Sequence, residues 1–182
     1  MQKINITDNN WTLLLDRDGV INHQKEGGYI LSWEEFILYE GVKEAVEIFS
    51  KKFRYIFIVT NQRGVGKGMM QMDDLNNIHQ QMKMEIEKAG GRIDHIYFCT
   101  DTESSSPNRK PNIGMGLQAR KDYPAIDFSR CIMVGNSPGD MEFGKNIGAT
   151  TVFLTTTKKD IDQPNKMIDY IYPSLIEFAT AL

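Results

Sequence analysis

The sequence predicts an α/β fold, a mostly parallel central sheet with helices on both faces. Three observations carry that prediction. Short apolar runs are continuous rather than alternating, as in strands buried on both faces. They take turns with longer segments whose apolar residues recur at helical spacing. Each run then stops on polar or glycine residues, which is where an open α/β sheet presents its carboxyl ends and its chemistry.

Taken in order, residues 12–15 (TLLL) are the first predicted strand and residues 42–52 the first helix. The second strand, 55–60 (YIFIVT), is β-branched and aromatic, and the helix 72–89 after it is closed by Gly90-Gly91. The strand 95–99 (HIYFC) leads into TDTESSSPN, residues 100–108, which has the composition of a flexible surface loop. A helix over 114–122 stops near Pro124 because proline cannot continue it. The strand 131–135 (CIMVG) is followed by a helix over 140–146 that ends before Gly148. A strand at 151–154, a shorter one at 170–172 and a helix at 173–181 complete the chain. In that last helix Leu175, Phe178 and Leu182 share a stripe, and Ser174 or Asp169 is the cap.

Composition bounds the function. A chain of 182 residues is expected to be one domain, spanning 1–182, and buries about 70% of its unfolded surface without staples. With 21 Lys and Arg against 24 Asp and Glu, and no basic block, it is not built to hold nucleic acid or an anionic membrane. Two cysteines make neither a disulfide framework nor a structural zinc site, and they fit a reducing cytoplasm. The start, MQKINITDNNW, lacks the basic and apolar regions of a signal peptide, and no apolar run reaches the roughly 20 residues of a membrane span. The expectation is a mature, soluble, cytoplasmic monomer.

The strand ends hold the chemistry. Asp16-Arg17-Asp18-Gly19 puts two carboxylates where a buried strand opens to solvent; alone, this is equally an acidic turn. Thr60-Asn61-Gln62 supplies three hydrogen-bonding side chains, followed by Arg63-Gly64-Val65-Gly66-Lys67-Gly68. The glycines do not make a nucleotide P-loop, which needs Gly where Asn61 stands and Ser or Thr where Gly68 stands. Arg109-Lys110 lies just before a helix that can begin at Pro111, where two cations call for an anion or are simply solvated. Asn136-Ser137-Pro138-Gly139-Asp140 is an oxygen-rich turn into another helix. Carboxylates, amides, a hydroxyl and a lysine at four successive strand ends suit metal-assisted phosphoryl transfer. Hard oxygen ligands take Mg²⁺, a carboxylate attacks phosphorus, and lysine neutralises the charge. His23, His79 and His95 share no ligand spacing and are read as surface or packing residues. Met69 and Met70 are placed at the entrance.

The runs LLLDRDGVIN, VTNQ, RKP and GNSPGD resemble, in order and spacing, the four motifs of the haloacid dehalogenase (HAD) superfamily of phosphatases. With GGYI, TNQRGVGKG and RKPNIGMG, the chain looks like the small capless branch that contains heptose 1,7-bisphosphate phosphatases and histidinol-phosphate phosphatases. The resemblance implies a Rossmann-like HAD domain without a large cap. It implies Asp16 as nucleophile and Mg²⁺ ligand, and Asp18 as general acid and then base, giving its main-chain carbonyl to the metal. It further implies Thr60, Asn61, Gln62, Arg63, Arg109 and Lys110 as phosphate or substrate contacts, with Asn136 and Asp140 completing the metal site.

Three departures follow. Asn136 stands where the family usually has Asp, so metal affinity should drop. The loop that usually carries Cys and His ligands for zinc is TDTESSSPN here, so zinc is not predicted. That same loop helps shape the substrate entrance, which leaves the particular substrate open. The leading expectation is a Mg²⁺-dependent phosphomonoesterase acting through an aspartyl-phosphate on a small phosphorylated metabolite, D-glycero-D-manno-heptose 1,7-bisphosphate, at its 7-phosphate. Arg63, Lys67 and Arg109 favour a second phosphate, whereas Glu26, Asp101 and Glu103 would suit the amine of histidinol phosphate. A catalytically silent binding module is the remaining alternative, and the charge disfavours a polynucleotide 3′-phosphatase.

Overall fold

The structure, a computed structural model, describes residues 4, 6, 8–158 and 165–182; residues 1–3, 5 and 7 of the opening stretch MQKINITDNNW lie outside them. Its elements run β1 (Thr12–Leu15), α1 (Val42–Lys52), β2 (Tyr55–Asn61), α2 (Arg63–Gly66), α3 (Met72–Lys88), β3 (His95–Cys99), α4 (Gly114–Asp122), a short 3₁₀ turn (Phe128–Arg130), β4 (Cys131–Gly135), α5 (Pro138–Ile147), β5 (Thr150–Leu154), β6 (Tyr170–Tyr172) and α6 (Leu175–Ala181). The six strands form one sheet in the order β3-β2-β1-β4-β5-β6, and every pairing is parallel. Leu15 faces Ile58 on one side and Val134 on the other, so β1 and β4 meet where the winding reverses. That reversal opens a crevice beyond the carboxyl ends of the two strands.

Strand alternation divides the core. Leu13, Leu15, Ile56, Ile58, Val134 and Val152 point to the face covered by α1, α3 and α6, packing on Phe49, Ile78, Met82 and Phe178. Leu14, Phe57, Val59, Tyr97 and Met133 point to the opposite face, onto Met115, Phe143 and Ile147 of α4 and α5. Each fully buried side chain of this size contributes roughly 1.5–3 kcal/mol, so the sheet is held from both sides and its strand ends are rigid. Among the described residues no inserted cap stands over those ends, and no helix is long and apolar enough to cross a membrane.

The predicted strands and major helices are all present, with shifted ends. The helix predicted over 140–146 begins at Pro138: Ser137 caps it, accepting from Asp140 N, and proline is tolerated in a first turn whose N–H groups have no helical partners. The last helix begins at Leu175, not 173, because the Ser174 side chain accepts from Glu177 N and marks the boundary. The helix predicted over 114–122 is α4 with the same bounds, and Pro111, a possible first turn, stays outside it; Lys110 is pinned in the preceding turn by Asn61, to which it is hydrogen-bonded twice. The glycine segment after β2 holds one helical turn, α2, seated so closely that a Cβ on Gly66 would collide with Thr100 O. Met70 packs into the core while Met69 stays exposed, and neither lines the cavity wall itself.

Candidate active site

The crevice at the β1/β4 reversal is a cavity of about 390 Å³, and Asp16, Asp18, Thr60, Asn61, Gln62, Lys110, Asn136 and Asp140 all line it. Its size suits a small ligand. Residues from the ends of β1, β2 and β4 and from the loop after β3 therefore converge on one space. Two glycines make the convergence possible. Gly19 has φ +90°, a left-handed value, and a Cβ there would run into the Asn136 amide. A Cβ on Gly135 would run into Asp140, so only glycine lets α5 close on the end of β4.

At the centre Lys110 is buried and donates to Asp16 Oδ1 at 2.9 Å and to Asp140 Oδ1 at 2.5 Å. Burial alone would pull the ammonium down, but the Asp140 and Asp16 carboxylates hold it above its ordinary value, so it stays charged. Asp16 is pushed up, first by burial and then by the facing Asp140 charge, against the pull of Lys110. One lysine shared by two carboxylates leaves the centre with an excess of negative charge. The other oxygen of Asp140 accepts from Ser137 Oγ at 2.6 Å and Ser137 N at 3.0 Å, which fixes that carboxylate to the start of α5.

Asn136 sits beside this pair. Its Nδ2 donates to Thr157 Oγ1 at 2.9 Å and to Gln24 Oε1 at 3.2 Å, while its Oδ1 is buried and has no hydrogen-bond partner among the described residues. A buried carbonyl oxygen without a donor costs free energy unless a cation or another donor meets it. Among the described residues no group of three or more His, Cys, Asp or Glu side chains is arranged to hold a metal. The donors at hand are instead the Asp16 and Asp140 carboxylates and the Asn136 amide oxygen. This hard-oxygen set fits Mg²⁺, which uses one or two carboxylates and keeps waters. It does not fit zinc, which prefers thiolate and imidazole.

Asp18 is held differently from Asp16. Arg17 Nη2 donates to both of its oxygens, at 2.9 and 3.0 Å, with Asn22 Nδ2 at 2.9 Å and Gln62 Nε2 at 2.9 Å. Burial pushes Asp18 up, but the Arg17 charge and these hydrogen bonds outweigh it and leave the carboxyl below its ordinary value. Gln62 Nε2 also donates to Thr60 Oγ1 at 3.0 Å, which leaves the buried Thr60 hydroxyl proton free to donate into the cavity. The Asn61 side chain bonds the Lys110 backbone twice, which places Lys110, and it also lines the cavity.

Arg63 and Arg109 do not line the cavity wall. Arg63 donates to Thr102 O at 2.7 Å and Arg109 to Asp101 O at 3.3 Å, both anchored on the loop after β3. With Lys67, whose Nζ lies 5.2 Å from the Tyr29 ring centroid, they surround Tyr29 at the rim, and Lys67 above all holds that phenol below its ordinary value. Cysteines 99 and 131 are buried. The sequence reading missed Arg17, His79, Gln24 and Thr157. Arg17 carried one signal, a cation set between two strand-end carboxylates; the other three carried none.

Comparison with known proteins agrees with this geometry. A HAD-hydrolase-like family model matches residues 107–178. The chain is 34% identical over 173 residues, 94% of its length and 91% of the relative's, to D-glycero-alpha-D-manno-heptose-1,7-bisphosphate 7-phosphatase of Mycobacterium bovis. It is 34% identical over 142 residues, 74% of its length and 77% of the relative's, to D-glycero-beta-D-manno-heptose-1,7-bisphosphate 7-phosphatase of Rhodopseudomonas palustris. In fold it is similar to D,D-heptose 1,7-bisphosphate phosphatase from B. bronchiseptica, crystallised with magnesium and phosphate. That match has a TM-score of 0.81 at 23% identity and covers 93% of this chain and 96% of that one.

Proposed function

The chain belongs to the HAD-like family of phosphatases, alongside the heptose 1,7-bisphosphate 7-phosphatases, and from that premise we propose that it removes the 7-phosphate of D-glycero-D-manno-heptose 1,7-bisphosphate with Mg²⁺ as cofactor. The observation that carries the phosphatase chemistry is the buried Lys110 shared between Asp16 and Asp140, next to an Asn136 oxygen that has no partner among the described residues. Asp16, Asn136, Asp140 and the Asp18 carbonyl would hold Mg²⁺, which when bound neutralises charge on the carboxylates and on the phosphate.

This chain's own residues divide the remaining work. Lys110 and the Thr60 hydroxyl hold the phosphoryl oxygens. A carboxylate oxygen of Asp16 attacks phosphorus, the bond from phosphorus to the sugar oxygen breaks, and Asp18 gives a proton to that departing oxygen. Water then attacks the aspartyl-phosphate, Asp18 takes its proton, and the bond from phosphorus to Asp16 breaks. Asp16 is free again and inorganic phosphate is released. The two carboxyls sit in different surroundings: Asp16 faces a lysine, whereas Asp18 is caged by an arginine and two amides that favour its ionised form, so the proton it gives is one taken up from solvent as substrate binds.

The substrate reading is supported by the cationic rim. Arg63, Lys67 and Arg109 around Tyr29 suit a second phosphate better than the ammonium of histidinol phosphate. Two measurements test it. Asp16→Asn should abolish turnover with the fold intact, and full activity in that variant would sink the phosphatase mechanism. The wild-type protein should prefer heptose 1,7-bisphosphate over histidinol phosphate in kcat/KM, and an equal or reversed preference rejects the substrate.

A further inference from the structure

We propose that Arg17 and His79 form a buried strut that aims the Asp18 carboxylate, so that both are positioning residues for the proton transfers of this enzyme. The inference rests on the reading of Asp18 as acid and base given above.

Arg17 is fully buried, an uncommon state for a guanidinium unless each face of it has a partner. Its Nη2 donates to both Asp18 oxygens, at 2.9 and 3.0 Å, with Nε 3.3 Å from Oδ1, a planar fork that fixes the plane of the carboxylate. At the far end Nη1 lies 3.2 Å from His79 Nε2, and the guanidinium carbon is 5.7 Å from the Phe36 ring centroid. Arginine has only donors, so His79 must accept through Nε2 and carry its own proton on Nδ1. Burial first, and then the Arg17 charge, hold that imidazole in the neutral form this contact requires.

His79 belongs to α3, whose Leu75, Ile78, Met82 and Ile86 are buried in the core. The strut therefore ties a flexible carboxylate to the packed interior through two rigid planar groups. Asp18 has to meet the departing oxygen in one half of the reaction and the attacking water in the other, from one position. A planar fork held at its back is suited to that demand, whereas a lysine at position 17 would allow the carboxylate to swing.

The test compares His79→Leu, His79→Gln and Arg17→Lys with the wild type on one phosphomonoester, reading kcat, KM, the Mg²⁺ half-saturation and the melting temperature. His79→Leu removes the acceptor and should lower kcat about 10- to 100-fold, the range expected when a reacting group is misplaced by a fraction of its contact distance. KM and Mg²⁺ half-saturation should stay within about twofold, since substrate and metal ligands are untouched. His79→Gln, whose amide oxygen can accept from Nη1, should restore most of kcat, and Arg17→Lys, which keeps the charge but loses the fork, should resemble His79→Leu. A His79→Leu protein that melts lower but turns over like the wild type would overturn the proposal, as would equal loss in the Leu and Gln variants. Should the Leu variant not fold, an unchanged kcat in Arg17→Lys overturns the proposal equally, and a loss of kcat there supports it. Asp18→Asn separates the two ideas. If that variant keeps full turnover, the acid–base reading itself fails; if it is inactive while His79→Leu is fully active, the strut alone fails.

Discussion

Replacing Asn136 by Asp tests the metal site most directly. The variant adds a third carboxylate to a centre where Asp16 and Asp140 already share the single ammonium of Lys110. Two unit charges about 4 Å apart interact by about 1 kcal/mol in a water-like medium, so a divalent cation gains about 2 kcal/mol from one added carboxylate, roughly 30-fold in affinity. The cavity opens to solvent, and the water-like limit is therefore a floor. The same change costs the protein without Mg²⁺. Asn136 Nδ2 now donates to Gln24 and Thr157, and a carboxylate cannot donate to either. Losing such a bond and adding like charge should destabilise the metal-free variant by about 1–2 kcal/mol. Calorimetric titration with Mg²⁺, paired with thermal melts with and without the ion, reads both effects. Mg²⁺ affinity equal to or weaker than wild type would refute the assignment of Asn136 as a ligand.

Lys110→Met should be more damaging, because it strands two buried carboxylates. Breaking a buried pair of this kind costs about 3–5 kcal/mol, read as a shift in urea midpoint, and turnover should fall about 10²- to 10³-fold with the loss of charge stabilisation. A pH dependence follows from His79, which burial and then Arg17 push down to about 3 while Asp18 pulls the other way. The unfolded chain takes up a proton there near pH 6.5 and the folded chain does not, so stability falls as the pH drops below about 6.5 and levels off only near 3. Between pH 7 and 5 this one group should remove about 2 kcal/mol of unfolding free energy. His79→Gln should lose that increment, and an identical fall in both proteins by urea titration would show that His79 does not titrate this way.

Much of the architecture was legible because it depends on local pattern. Continuous apolar runs marked the parallel strands, and their polar ends marked the residues that line the cavity, since strand direction alone carries Asp16, Thr60 and Asn136 to one edge. Helix starts were less legible. A Ser-Pro-Gly stretch reads as a turn, yet Ser137 caps α5 through Asp140, a boundary visible only once the side chains are placed. The division of labour inside the site was less legible again. Asn61, read as a phosphate contact, also holds the Lys110 backbone, 49 residues away in sequence.

The charge pattern is written in the chain itself: carboxylates after β1, a hydroxyl at the end of β2, a lysine after β3 and oxygen donors after β4, each next to a run that had to be buried. Which of these groups touch is settled by the fold. Lys110 reaches Asp16 across 94 residues and Asp140 across 30, and Arg17 meets His79 across 62. No periodicity records such pairings. They are selected by the energy of burying charge, which is tolerable only where a partner from a distant element arrives at hydrogen-bond distance, and it is packing of the two core faces that brings the partner there.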